Sequence, residues 1–166
     1  MKFLFFIMIS VLSVSCSTPK DTAQKKQGKG AAINTSTSLS TGAEQTEKYL
    51  PYIKGKRVAI LANQTSIIGN THLVDSLKKL GVNIVKVFGP EHGFRGKASA
   101  GDHVSDEVDA ATGIPIISLY GAKNKPSKAD LANVDILLYD LQDVGVRFYT
   151  NINALARLME ACYENG

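Results

Sequence analysis

Val82-Asn83-Ile84-Val85-Lys86-Val87-Phe88-Gly89-Pro90-Glu91-His92-Gly93-Phe94-Arg95-Gly96 decides how this chain is to be read. Its first half is a β-branched, apolar run of strand length, and its second half is a loop punctuated by glycine and proline. In an open α/β sheet, ligands are held by the loops that leave the carboxyl ends of strands. This loop carries a carboxylic acid (Glu91), an imidazole (His92) and a guanidinium (Arg95) within five residues. Its glycines let the backbone turn tightly and come close to a ligand. The same residue types also populate ordinary solvated loops, so the rest of the chain has to decide between the two readings.

Working outward, similar apolar runs recur with helical patterns between them. Arg57 to Ala62 is a short strand ending in the polar Asn63-Gln64-Thr65-Ser66. His72 to Leu80 places Leu73, Leu77 and Leu80 on one helical face and stops at Gly81. After an irregular stretch over 93–113, a third strand spans Ile114 to Tyr120, a short helix lies near Ser127 to Asn133, and a fourth strand spans Asp135 to Asp140. A final helix runs from about Asn153 to Tyr163, with Cys162 on its apolar face as a small core residue. Near-continuous apolar strands separated by helices predict an α/β fold with a doubly wound, mostly parallel sheet. Each strand ends in polar residues. Asn63 and Gln64 follow the first, Glu91 and His92 the second, and Tyr120 the third. Asp140, Gln142 and Asp143 follow the fourth, with Arg147, Tyr149 and Asn151 beyond. Four strand ends delivering polar side chains to one edge carry more weight than any single motif. GxGxxG and Walker A patterns are absent, so no nucleotide cofactor is expected.

The amino terminus reads as targeting rather than fold. Lys2 precedes an apolar stretch, Phe3 to Val14, that is shorter than the ~20 residues of a membrane span. It ends in Leu12-Ser13-Val14-Ser15-Cys16-Ser17, which is similar to a bacterial lipoprotein signal in which Cys16 is lipidated. A plain secretory signal with an incidental Cys16 is the alternative, and Ser13 stands where a branched aliphatic residue is usual. Residues 1–15 are thus expected to be a signal peptide. Residues 16–46, rich in Ser, Thr, Lys, Gln, Ala and Gly, are expected to be a flexible linker, and 47–166 the folded domain. Most of the net charge of +4 comes from this leader. Five lysines precede residue 47, and from there on 14 basic residues meet 13 acidic ones. With no basic patch, a nucleic-acid partner is not expected. A metal hydrolase is one rival reading, resting on Glu91-His92 and Asp102-His103. Neighbouring residues rarely point at one ion and no recognised metal spacing is met, so no metal is expected.

Several segments together carry a family resemblance: Leu61-Ala62-Asn63-Gln64-Thr65, Gly89 to Gly96, Ala100-Gly101, Thr112-Gly113-Ile114-Pro115, Ser118-Leu119-Tyr120-Gly121 and Asp140 to Thr150. Over about residues 50–166 the chain resembles the exo-β-N-acetylmuramidase family of peptidoglycan glycoside hydrolases. The resemblance implies a Rossmann-like domain and removal of terminal N-acetylmuramic acid from the non-reducing end of cell-wall fragments. It places the candidate catalytic acid on Glu91. Members are longer, with a second domain completing the cleft, so the chain is expected to be the N-terminal half of such an enzyme. Glycoside hydrolysis usually needs a proton donor and a second group on the other face of the sugar. Asp143 is the first candidate for that second group. The substrate's own acetamido oxygen is an alternative nucleophile, with Asp143, Asp140 or Asp102 orienting it or acting as base. Arg95 and Arg147 suit the lactyl carboxylate of muramic acid, since a guanidinium meets a carboxylate through two hydrogen bonds. Either arginine could instead pair with Asp140 or Asp143. Asn63, Gln64, His92 and Gln142 complete the expected binding set, with Tyr120 and Tyr149 placed to stack on a sugar or to cap the core. Asn151 stands where the family commonly has an aromatic residue. The expected partners are a peptidoglycan-derived glycan and, through a lipid anchor, the membrane, in the cell envelope on the periplasmic or surface face of the outer membrane. A glycan-binding surface lipoprotein without catalysis remains the second rival.

Overall fold

The computed structural model describes residues 39–97, 99 and 105–166. The signal segment, Cys16, most of the linker, Asp102 and His103 lie outside the described residues.

The first element is helix α1 (Thr46–Ile53), which the sequence reading did not single out. Pro51 removes a backbone donor from it, and the helix ends two residues later. The fold begins slightly earlier still. Thr41 and Glu44 exchange backbone-to-side-chain hydrogen bonds, and the Tyr49 hydroxyl donates to the Ala43 carbonyl at 2.7 Å. Residues 41–45, assigned to the linker by composition, are therefore tied to the domain.

Strand β1 (Val58–Ala62) is buried at all five positions. Alternate residues face opposite sides of a strand, so Val58, Ile60 and Ala62 enter one core while Ala59 and Leu61 enter another. Fully burying an aliphatic side chain contributes about 1.5–3 kcal/mol, which makes this strand the natural centre of the sheet. A hairpin follows, β2 (Ile67–Ile68) and β3 (Thr71–His72), turning at Gly69-Asn70. Helix α2 (Leu73–Lys79) is capped by His72, whose ring accepts from the Val74 amide. It leads to β4 (Ile84–Gly89), and a short antiparallel edge strand β5 (Glu107–Val108) precedes β6 (Pro115–Ser118). Helix α3 (Lys128–Leu131) opens on a capping box in which Ser127 and Asp130 satisfy each other's backbone amides. Strand β7 (Ile136–Asp140) and helix α4 (Asn151–Asn165) complete the described residues.

The sheet runs β5-β6-β4-β1-β7, parallel except for the β5 edge. The chain builds outward from β1 through β4 to β6, then crosses back to lay β7 on the other side of β1. That reversal creates a crevice at the carboxyl ends of β1 and β7, the place where open α/β sheets hold ligands. Arg57 fixes the register at the opposite end. Its amide and guanidinium both grip the Asp135 carboxylate, with the closest contact at 2.6 Å, and hold that group well below the usual carboxylate range.

Candidate active site

The loop after β4 is folded by two successive turns. The Gly93 amide donates to the Pro90 carbonyl at 2.9 Å, which leaves Glu91 and His92 at the corner. His92 adopts φ +69°, a left-handed conformation rare for a residue with a side chain. Such a residue costs about 1 kcal/mol or more, and it persists where the surroundings enforce it. At Gly96, with φ +66°, a Cβ would fall 2.9 Å from the Gln64 side chain. Only glycine lets the loop close onto the residue that leaves β1.

Four strand-end loops and the start of α4 enclose a polar cleft of about 890 Å³. Asn63, Gln64 and Thr65 line it after β1, Glu91 and His92 after β4, and Tyr120 after β6. Gln142, Phe148 and Tyr149 line it after β7, and Asn153 and Arg157 do so from α4. Among the described residues Glu91 is the one carboxylate in this lining. Its carboxylate raises the Tyr120 phenol above its ordinary pKa.

The loop beneath the cleft is held by its own polar groups. Asn63 Oδ1 accepts from the Thr65 amide at 2.9 Å and the Thr65 hydroxyl at 2.7 Å. Thr65 Oγ1 in turn accepts from the Gln142 amide at 3.3 Å, and the Ser66 hydroxyl donates to the Asp140 carbonyl. Asn151 Nδ2 donates to the Gln142 carbonyl at 2.7 Å, while the Tyr139 hydroxyl donates to the Asn151 carbonyl at 3.0 Å. The asparagine that departs from the family pattern thus ties the β7 loop to the first turn of α4.

The structure brings Asn63, Gln64, Glu91, His92, Tyr120, Gln142 and Tyr149 together around the cleft, and it places Arg95, Asp140, Asp143 and Arg147 outside that lining. Arg95 turns away from the cleft into an ion-pair cluster. It contacts both oxygens of Asp75 at 2.8 and 3.0 Å and both oxygens of Asp109 at 3.0 and 2.7 Å. With both forks of the guanidinium engaged, it has no donor pair left for a lactyl carboxylate. Its partners are Asp75 and Asp109 rather than Asp140 or Asp143. Burial pushes the Asp109 carboxyl up, but hydrogen bonds from Arg95 and Thr112 outweigh this and hold it at about 2. Asp143 is exposed, and its carboxylate accepts from the Gly145 amide at 2.7 Å in a local turn. It does not line the cleft. Asp140 ends β7 half-buried beneath the cleft, where burial raises its pKa. Arg147 is exposed, outside the lining, and in no ion pair among the described residues. Among the described residues no three His, Cys, Asp or Glu side chains converge to hold a metal ion.

Arg157, Asn153, Asn124 and Phe148 line the cleft without having been singled out by the sequence. Asn153 and Arg157 stand four apart on α4, so they share one helical face. That spacing, read together with a helix starting just beyond the fourth strand end, is the signal that could have found them.

Three comparisons place the chain beside known proteins. The family model described as exo-β-N-acetylmuramidase NamZ, N-terminal, matches residues 58–166. The peptidoglycan β-N-acetylmuramidase NamZ of Bacillus subtilis (strain 168) is 40% identical over 168 residues, an alignment covering 98% of this chain and 37% of that protein. Crystal structures of two DUF1343 family proteins from Bacteroides fragilis NCTC 9343 superpose with TM-scores of 0.63 and 0.64. They are 48% and 38% identical to this chain, covering 74% and 72% of it and 31% and 30% of their own lengths. The chain therefore spans about a third of the length of these relatives.

Proposed function

The chain belongs to the exo-β-N-acetylmuramidase NamZ family, and from that premise we propose that it carries the catalytic acid of an exo-acting glycoside hydrolase. The substrate is a peptidoglycan fragment, and the product is N-acetylmuramic acid released from its non-reducing end. The observation that carries this reading is Glu91, the single carboxylate of the cleft lining among the described residues, presented at a strand-end corner.

In this reading the Glu91 carboxyl gives its proton to the glycosidic oxygen as the bond from that oxygen to the anomeric carbon breaks. The substrate's 2-acetamido oxygen bonds to the same carbon from the other face, as in substrate-assisted families. Water then adds at the anomeric carbon as its bond to the acetamido oxygen breaks, and a water proton goes to Glu91, which regenerates the acid. The cleft's amide-rich lining supplies donors and acceptors suited to sugar hydroxyls. Phe148 in its lining is exposed, and α4 carries the further exposed apolar side chains Ile152 and Tyr163. We assign these to a second domain of the kind the longer relatives have room for. Cys16 is proposed as the lipidated residue that anchors the enzyme to the envelope membrane, so Cys16→Ser should shift the protein from the membrane to the soluble fraction.

The test is hydrolysis of a nitrophenyl β-glycoside of N-acetylmuramic acid by the full-length enzyme, with and without a chelator. Turnover that is insensitive to chelator, and that Glu91→Gln lowers far more on the natural disaccharide than on this glycoside, supports the reading. Binding without turnover would favour a glycan-binding lipoprotein, and chelator-sensitive turnover a metal hydrolase.

A further inference from the structure

We propose that Arg157 is the residue that recognises the carboxylate of the substrate's acidic sugar, and so sets specificity for a lactyl-bearing sugar over its neutral counterpart. This rests on the glycosidase reading above. The chain has four arginines, all described. Arg57 is held by Asp135 and Arg95 by Asp75 and Asp109, so neither guanidinium is available to a ligand. Arg147 is exposed outside the cleft lining. Among the described lysines and arginines, Arg157 alone lines the cleft that holds Glu91.

Its helix leaves it unpaired. The one acidic residue within a helical turn of Arg157 is Glu160, and Lys125 takes that carboxylate at 3.4 Å together with Glu164 at 2.8 Å. Toward the amino terminus, the neighbours three and four residues back are Ala154 and Asn153, neither of them charged. Helical side chains lean toward the amino-terminal end of their helix. Arg157 therefore reaches back over the small Ala154, which lines the same cleft. Among the described residues it forms no ion pair with Glu91 either, so the acid and the cation share one cleft without neutralising each other. A muramic sugar presents its lactyl carboxylate at the carbon next to the acetamido group. A guanidinium with two free parallel N–H donors is the group that matches a carboxylate in shape and charge.

The experiment measures, in the full-length enzyme, calorimetric affinity for free N-acetylmuramic acid and free N-acetylglucosamine, alongside kcat/KM for the nitrophenyl glycoside of each. Wild type should prefer the acidic sugar. Arg157→Ala should lose ~10–100-fold in affinity and kcat/KM for it, the range expected for a charged hydrogen-bonded pair, with a much smaller change for the neutral sugar. Arg157→Lys, which keeps the charge but not the fork, should fall between them. If Arg157→Ala keeps the wild-type preference, or weakens both sugars equally, the assignment of Arg157 is overturned while the hydrolase reading stands. If wild type turns over neither glycoside but its preference for the acidic sugar vanishes in Arg157→Ala, the hydrolase reading falls and Arg157 keeps its role.

Discussion

Glu91 and Arg95 stand four residues apart on one loop and face opposite worlds. Glu91 is presented at a turn corner to an open polar cleft, with the Tyr120 phenol beside it. Arg95 is folded inward over the Phe94 ring, 4.6 Å from its centroid, and saturated by two carboxylates. The difference teaches that a charged residue's part in such a loop is set by where its partners come from. Asp75 arrives from α2 and Asp109 from the segment after β5, and together they turn Arg95 into a clamp that joins two distant parts of the chain to the loop. The clamp holds the corner on which Glu91 is displayed.

The largest effect that would sharpen this contrast is Glu91→Gln. The amide keeps size and shape but cannot donate the proton, and general acid catalysis is worth ~10²–10⁴-fold. Turnover of the natural disaccharide should fall by that much, and less for a nitrophenyl glycoside whose leaving group needs little protonation. KM should move little, and the urea midpoint should hardly change, since exposed substitutions usually stay within about 0.5 kcal/mol. Near-wild-type turnover would remove Glu91 as the acid. Arg95→Met should do the reverse. It leaves Asp75 and the buried Asp109 without their cation, and breaking such a pair costs about 3 kcal/mol. The urea midpoint should drop accordingly, while the sugar preference of the folded fraction is retained. A stable Arg95→Met enzyme that no longer prefers the acidic sugar would return Arg95 to the binding site.

Tyr120→Phe comes next. It removes the phenol whose pKa Glu91 raises, and kcat should fall by less than the ~10²-fold minimum expected for Glu91→Gln. Stability should be nearly unchanged. A Tyr120→Phe enzyme with wild-type kcat but raised KM would make Tyr120 a sugar-stacking residue instead.

The fold was largely legible because it is written in contiguous apolar runs. The stretches holding Val58–Ala62, Ile84–Gly89, Pro115–Ser118 and Ile136–Asp140 each read as strands, and the observed bounds differ by a residue or a few. The β2–β3 hairpin was missed because two-residue strands have no periodicity to detect. Helix α1 was missed because it emerges from a polar, small-residue stretch and contains a proline. In the cleft, strand-end position identified Gln64, Glu91, Tyr120 and Gln142, since topology alone delivers such residues to one edge. Ion pairing was not legible. Asp75 and Asp109 lie 20 and 14 residues from Arg95, and nothing in the local sequence favours them over Asp140 or Asp143. Arg157 escaped notice because an arginine on the polar face of a helix looks like solvation until the cleft is seen.

The smallest expected effect concerns His72, which lies under the clamp and links it to the cleft floor. Its Nδ1 accepts from the Val74 amide at 3.3 Å, and its Nε2 is 2.9 Å from the Asn63 carbonyl, so the neutral ring with a proton on Nε2 satisfies both. Phe94 packs edge-on against it at 4.6 Å. Burial lowers its pKa below the ordinary 6.5. The Asn63 hydrogen bond and the charges of Asp75 and Asp109 work against that shift, and Arg95 works with it. A folded pKa below the unfolded one means that the unfolded chain takes up the proton first as pH falls. Stability should therefore be full above about 6.5, decline as pH drops through the unfolded value, and level off for this group below the folded one. Asp140, with a raised pKa, acts with the opposite sign, and the loss from Asp75 and Asp109 begins only below their unfolded value of 3.8. Urea midpoints between about pH 7.5 and 5, the window in which histidine titrates, isolate His72. Asparagine still caps α2 but does not titrate, so His72→Asn should be less stable at the upper end yet flat across the window. A wild-type protein equally flat there would mean that the ring is not held neutral by its burial. A slope surviving in His72→Asn would assign the titration to another group.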